Sequence, residues 1–152
     1  MNKVTPFLTF KDSALEAMEF YVSIFKNSSI TSSMTMPGSR QLLHGSFILD
    51  GQPFMAMDGG DYFNFAQGNS LFVTCQDQEE VDYFWEKLGE GGKPGQCGWL
   101  EDKFGVSWQI IPTALGQYMS GSDPARSKRV HEAMLAMGKI DIEQLAKAYD
   151  NE

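Results

Sequence analysis

Few side chains in this sequence could do chemistry, and their types favour holding a molecule over attacking one. Of the two histidines, His44 opens a stretch of strand character and could serve as a general base, a single metal ligand or an exposed strand-end residue. His131 lies in a helical run beside Glu132 and reads as solvent-facing. Gln109 alternates with Trp108 and Ile110, which puts its amide on the strand face opposite its apolar neighbours. An amide placed there can both donate to and accept from a ligand, or form a structural hydrogen bond. Cys97 has neither a CxxC partner nor an adjacent histidine to lower its pKa, so it reads as an unactivated thiol. Asp58, Asp61, Asp77 and Asp102 fall in turns or helix starts, where a carboxylate bonds the local backbone. No catalytic carboxylate pair follows from their spacing. Trp99, Trp108, Phe54, Phe63 and Phe65, with Met34, Met36, Met55 and Met57, could line an apolar pocket for a planar ligand or fill a core.

The elements that must position these groups come in a regular order. Val4 to Phe10 is β-rich, and Asp12 or Ser13 can cap a helix carrying Leu15, Met18, Tyr21, Val22 and Phe25 at helical spacing. Ile30 to Met36, Leu43 to Leu49 and Gln52 to Met57 read as strands, with Asp50-Gly51 a hairpin turn between the last two. Tyr62 to Asn69 has the composition of a connecting loop. A second set begins at Ser70, with Leu71 to Cys75 as a strand. Asp77 or Gln78 caps a helix with Val81, Phe84, Trp85 and Leu88, and Gly89 to Gly95 closes it. Trp99 to Glu101 and Val106 to Ile111 are strands around a Lys103-Phe104-Gly105 turn.

The two sets are copies of one unit. Phe7, Thr9 and Asp12 match Phe72, Thr74 and Asp77 at constant offset, and Gly51 to Met57 overlays Gly105 to Ile111 with Phe54 opposite Trp108. The tail departs from the repeat. Pro124 to Met137 and Asp141 to Tyr149 read as amphipathic helices, with Val130, Met134 and Met137 on one stripe and Ile142, Leu145 and Tyr149 on the other. They need a surface to cover, either in this domain or in a sister subunit.

At 152 residues the chain can bury one core or two small fused ones. Its 20 acidic against 12 basic residues, a formal charge of −8, argue against a nucleic-acid partner, because a phosphate backbone would meet the protein's own negative field. No apolar run approaches the roughly 20 residues that span a bilayer. With two cysteines and no apolar signal segment after the initial methionine, the cytoplasm is the expected compartment.

The segment Gly98-Trp99-Leu100-Glu101-Asp102-Lys103-Phe104-Gly105-Val106-Ser107-Trp108-Gln109-Ile110-Ile111-Pro112 closely resembles a signature of the PhnB-like proteins, long labelled 3-demethylubiquinone-9 3-methyltransferase domains. These belong to the vicinal oxygen chelate superfamily, with the glyoxalases, extradiol dioxygenases and bleomycin-resistance proteins. Phe47 to Met57, Asn69 to Val73 and Glu80 to Leu88 carry further matches. The resemblance implies an α+β fold in which two βαβββ modules, about 1–60 and 69–113 within a domain of 1–113, form a curled mixed sheet around a cleft. The C-terminal helices of 114–152 form an extension that packs on the domain or on a dimer partner. It also implies a homodimer. In metal-using relatives the ion is held by inward His and Glu residues on the first and last strands of each module. Those positions correspond to Thr5, Met55 (or Met57 in a slipped register), Ser70 and Gln109, none of them a histidine or a carboxylate.

The resemblance therefore points to a protein that binds a small, partly aromatic molecule without a metal or other cofactor, in a cleft lined by Thr5, His44, Met55, Met57, Ser70, Trp99, Trp108 and Gln109. The alternative is a metal-dependent lyase, isomerase or dioxygenase with unusual ligands such as His44 and Asp58. A third reading makes the dimer a structural partner joined through its tail helices. Methyl transfer finds no support, because the chain has no Gly-rich turn between a strand and a helix and Gly89 to Gly95 follows a helix.

Overall fold

A computed structural model describes residues 3–152. The fold is mixed α+β: two βαβββ modules, each with its own four-stranded mixed sheet, followed by C-terminal helices. The chain divides into two compact units, Met1–Phe65 and Ala66–Glu152.

The first unit runs β1 (Phe7–Phe10), α1 (Ala14–Ile24), β2 (Ser29–Thr35), β3 (Leu42–Leu49) and β4 (Gln52–Asp58), then a single 3-10 turn at Gly60–Tyr62. Its sheet order is β1-β4-β3-β2, with β1 parallel to β4 and the other pairs antiparallel. β1 starts three residues later than the composition suggests, because Pro6 has no N–H for the ladder and contributes only its carbonyl, to Met55 N at 3.0 Å. The β3–β4 hairpin turns through Asp50 and Gly51 at φ 47° and 80°, the positive pair that a two-residue hairpin needs. On α1 the buried face is Ala14, Ala17, Met18, Tyr21 and Ile24, shifted from the expected Leu15, Val22 and Phe25. Two alanines let the helix lie close to the sheet, where Tyr21 stacks on Phe47 and Phe47 on Phe54.

The cap of α1 is also not the expected one. Ser13 is the N-cap residue, but its hydroxyl donates to Asp12 and makes no cap bond. Asp58, at the end of β4, instead accepts Ala14 N–H through Oδ1 at 2.8 Å and Leu42 N–H through Oδ2 at 2.9 Å. One buried carboxylate thus satisfies the start of α1 and the start of β3, a long-range role in place of the local one read from its turn-like setting.

The second unit runs β5 (Leu71–Cys75), α2 (Gln78–Gly89), β6 (Lys93–Pro94), β7 (Trp99–Glu101) and β8 (Ser107–Pro112), then α3 (Thr113–Met119), α4 (Pro124–Leu135) and α5 (Ile142–Asp150). Its sheet order, β5-β8-β7-β6 with β5 parallel to β8, repeats that of the first unit. Asp77 caps α2 by accepting Glu80 N–H at 2.9 Å, and Glu80 reaches back to Gln76 N–H. β6 is a two-residue strand inside the stretch that reads only as the end of a helix, and α3 has no separate signal because it follows β8 without a break.

The tail helices pack on this same unit. Leu115, Val130, Ile140 and Leu145 form a buried cluster against which Ile111, Tyr118, Met119, Met134, Met137 and Tyr149 also pack. Gln78 on α2 ties the α4–α5 connection down with two bonds, donating to Ile140 O at 2.9 Å and accepting from Ile142 N at 2.8 Å. Gly98, at φ 84°, is required where the tail arrives: a Cβ there would lie 2.7 Å from Ile111 Cδ1 and 3.1 Å from Ile140 Cγ1.

Candidate functional site

In each unit one face of the sheet carries the module's own helix, α1 or α2, and the other, here the helix-free face, does not, and strand alternation sorts the candidate residues between them. In the first unit Phe54, Ala56 and Asp58 of β4 face α1, so Met55 and Met57 face the other way and are half-buried. Register places exposed Phe7 opposite Met55 and Thr9 opposite Met57. His44 is exposed and its ring lies 6.2 Å from the Phe7 ring, on the same helix-free face. Thr5 is half-buried just before β1. His44 and Asp58 are on opposite faces, and both Asp58 oxygens are occupied by backbone donors, so these two do not assemble into one site.

In the second unit the helix-free face shows a row across three strands: Phe72 on β5, Gln109 on β8 and Trp99 on β7. Phe72 is 58% exposed, while Gln109 and Trp99 are half-buried. Gln109 Nε2 donates to Ser70 Oγ at 2.9 Å, so the two predicted positions in this module are in direct contact. The bond consumes one amide hydrogen and leaves the Gln109 carbonyl oxygen and the Ser70 hydroxyl hydrogen for a third group. One strand step further on, Ile111 is taken up by the tail cluster, so that end of the face is covered.

Trp108 is not on this face. It is 2% exposed on the α2 side, where it pairs with Leu100, and its Nε1 donates to Asp102 Oδ2 at 2.9 Å. Asp102, itself buried, also accepts Phe104 N–H and Val106 N–H through Oδ1 and so shapes the β7–β8 turn. Strand alternation separates Trp108 from Gln109, so its aromatic type serves the core and not the expected cleft lining. Phe54 is likewise core, Phe65 packs edge-on against Phe10, and Phe63 and Met34 are exposed.

Phe7, Phe72 and Glu101 share these faces without belonging to the set that residue type and family position mark. Phe7 and Phe72 were matched by the repeat, and large aromatics in equivalent outward strand positions are the signal that finds them. Glu101 shares a face with Trp99 by alternation.

A divalent ion with open coordination positions needs several His or carboxylate ligands. The equivalent positions supply Thr5 with Met55 and Ser70 with Gln109: three neutral oxygens and a thioether, with the Ser70 oxygen already accepting a hydrogen bond. Among the described residues no three His, Cys, Asp or Glu side chains come together as metal ligands would. Neither pair fits the chelate. The strand-to-helix turns, Lys11 to Ser13 and Gln76 to Asp77, contain no glycine and offer no nucleotide-type cradle.

The family described as 3-demethylubiquinone-9 3-methyltransferase matches residues 2–111. A solved Bacillus cereus structure, described as a putative 3-demethylubiquinone-9 3-methyltransferase and PhnB protein, is 37% identical, with 72% of this chain and 99% of that chain covered and a TM-score of 0.67. The chain belongs to this PhnB-like family. The family is part of the vicinal oxygen chelate superfamily, and likeness of fold extends to more distant structures. A Pseudomonas aeruginosa protein is 18% identical over 73% of this chain and 96% of that one, at TM-score 0.62. A variant of the fosfomycin resistance protein FosX of Listeria monocytogenes, solved with manganese(II) and a dihydroxypropylphosphonic acid, is 22% identical over 71% of this chain and 90% of that one, at TM-score 0.51. No curated protein matches. The family match ends at residue 111, so α3, α4 and α5 lie outside it. Among the described residues no helix is long and apolar enough to cross a membrane.

Proposed function

We propose that this PhnB-like protein is a cytoplasmic homodimer that binds a small, partly aromatic molecule through its helix-free sheet faces, without a chelated metal. The observation that carries the reading is the Gln109–Ser70 pair: at superfamily ligand positions it offers one neutral acceptor and one neutral donor, flanked by Phe72 and Trp99. A planar ligand gains apolar contact from the two rings and orientation from the amide and hydroxyl. On the sheet of the first module, Thr5, His44, Met55 and Met57 provide a polar-and-apolar lining of their own, on the face away from α1.

The test is mass spectrometry of whatever co-purifies, with titration of a planar fluorescent probe such as anilinonaphthalene sulfonate followed by Trp emission, and metal analysis of the fresh protein. Saturable binding that quenches Trp99, with no stoichiometric metal, is the expected result. A tightly bound transition metal, or probe binding that leaves Trp99 unaffected, refutes it.

A further inference from the structure

A concave surface lies on the α2 side of the second module, on the face of the sheet opposite Gln109 and Trp99. It is a hollow of about 400 Å³ between the end of α2 and the short strands β6 and β7, lined by Trp85, Glu86, Gly89, Glu90, Pro94 and Leu100. Its walls are apolar, with the half-buried Trp85 ring beside Pro94 and Leu100, and its rim is acidic.

The rim is arranged against the stability of its own helix. Glu86 lies in the last turn of α2 and Glu90 is the residue that follows it, so both carboxylates stand at the C-terminal end, where the helix dipole already concentrates negative potential. Lys87, the basic residue of that last turn, points about 100° round the helix from Glu86. Among the described residues neither glutamate has an ion-pair partner, whereas Glu19, Glu132 and Glu143 each do. The Trp85 ring likewise has no aromatic or cationic neighbour stacked on it there.

We propose that this groove binds a small organic cation, an ammonium group carried on an apolar body. The ammonium sits between the Glu86 and Glu90 carboxylates and over the Trp85 face, while the body lies against Pro94 and Leu100. Charge complementarity selects this occupant: two carboxylates outside any ion pair and a helix C-terminus attract a cation, and an indole face adds cation–π attraction. The volume suits a small molecule.

Choline and its neutral isostere, in which carbon replaces the quaternary nitrogen, provide the test, read at the Trp85 indole N–H in two-dimensional NMR spectra of the full chain. Choline should shift that signal saturably, with affinity falling as salt rises, and the isostere should bind roughly tenfold more weakly. The double variant Glu86→Gln/Glu90→Gln, altered only at exposed positions, should lose a similar factor while keeping its fold. Trp85→Leu should abolish the effect, read at other groove signals. Equal binding of the isostere, an unmoved Trp85 signal, unchanged affinity in the glutamine variant, or binding only of basic peptides overturns the proposal.

Discussion

The amide nitrogen of Gln109 donates to the hydroxyl of Ser70 at 2.9 Å, joining the last strand of the second module to the residue just before its first. The equivalent pair in the first module, Met55 and Thr5, cannot form such a bond because a thioether has no N–H or O–H to give. The two modules repeat in sheet order and register, and they differ in what they can offer a polar ligand. A graded expectation follows. Gln109→Leu should weaken binding of a planar probe about tenfold, the usual worth of a lost hydrogen bond to a neutral group. Met55→Leu should change it little. Equal losses in the two variants, measured by fluorescence titration, would contradict the asymmetry.

Trp99 and Trp108 are separated by the same alternation, with Trp99 on the helix-free face and Trp108 buried against Asp102. In a Trp99→Phe protein the ligand-dependent change in emission should vanish, and in a Trp108→Phe protein it should persist. The second change should instead cost stability, about 1–3 kcal/mol, because Asp102 loses its indole donor and the core loses part of a ring. Acrylamide quenching and urea denaturation read the two effects separately. A ligand signal that disappears with Trp108 and survives without Trp99 would move the binding face to the other side of the sheet.

The architecture is readable because it is periodic. Strand alternation at Trp108, Gln109 and Ile110, the turn at Asp50-Gly51 and the match of Phe7 with Phe72 each report a local rule, and each appears in the structure where the rule puts it. What could not be read is non-local. The carboxylate of Asp58 caps a helix that begins 44 residues earlier in the chain, and no spacing reveals that partner. Ile140, fully buried, falls between the two amphipathic stripes of the tail because it anchors the link between helices. The site residues divide in the same way. Gln109 and Ser70 stand at the ligand positions that the family resemblance marks, whereas Trp108 is suggested by residue type, which says nothing of the face it occupies.

Asp58 provides a test of that long-range role. Replacement by Ala removes two hydrogen bonds from buried backbone donors and should destabilise the protein by about 2–4 kcal/mol. Asp58→Asn keeps a single acceptor oxygen and should lose about half as much. Asp61→Ala, which removes an exposed ion pair with Lys11, should leave the urea midpoint close to that of the parent. Urea midpoints at constant m-value give the comparison, and parity of Asp58→Ala with Asp61→Ala would refute the cap.

The two free cysteines should behave oppositely. Burial, reinforced by the nearby Glu80 and Asp77 carboxylates, pushes the Cys75 thiol up from 9.0 to about 12. Between those values an unfolded chain has lost the proton that the folded protein still holds, so the folded state binds more protons and stability falls as pH rises. The contribution is complete below pH 9 and is lost progressively on the way to about 12, with a slope near 1.4 kcal/mol per pH unit at most. Cys75→Ala should flatten the alkaline limb of the urea midpoint against pH by that amount, which separates it from the tyrosines and lysines that titrate in both proteins. At mildly alkaline pH a thiol reagent should modify Cys97 in the native protein, because Cys97 is only half-buried, and should reach Cys75 only after denaturation. Two rapidly reacting thiols in the folded chain, or an alkaline limb unchanged by Cys75→Ala, would show that the core around β5 admits solvent, and the packing of β5 against α2 would then need a different description.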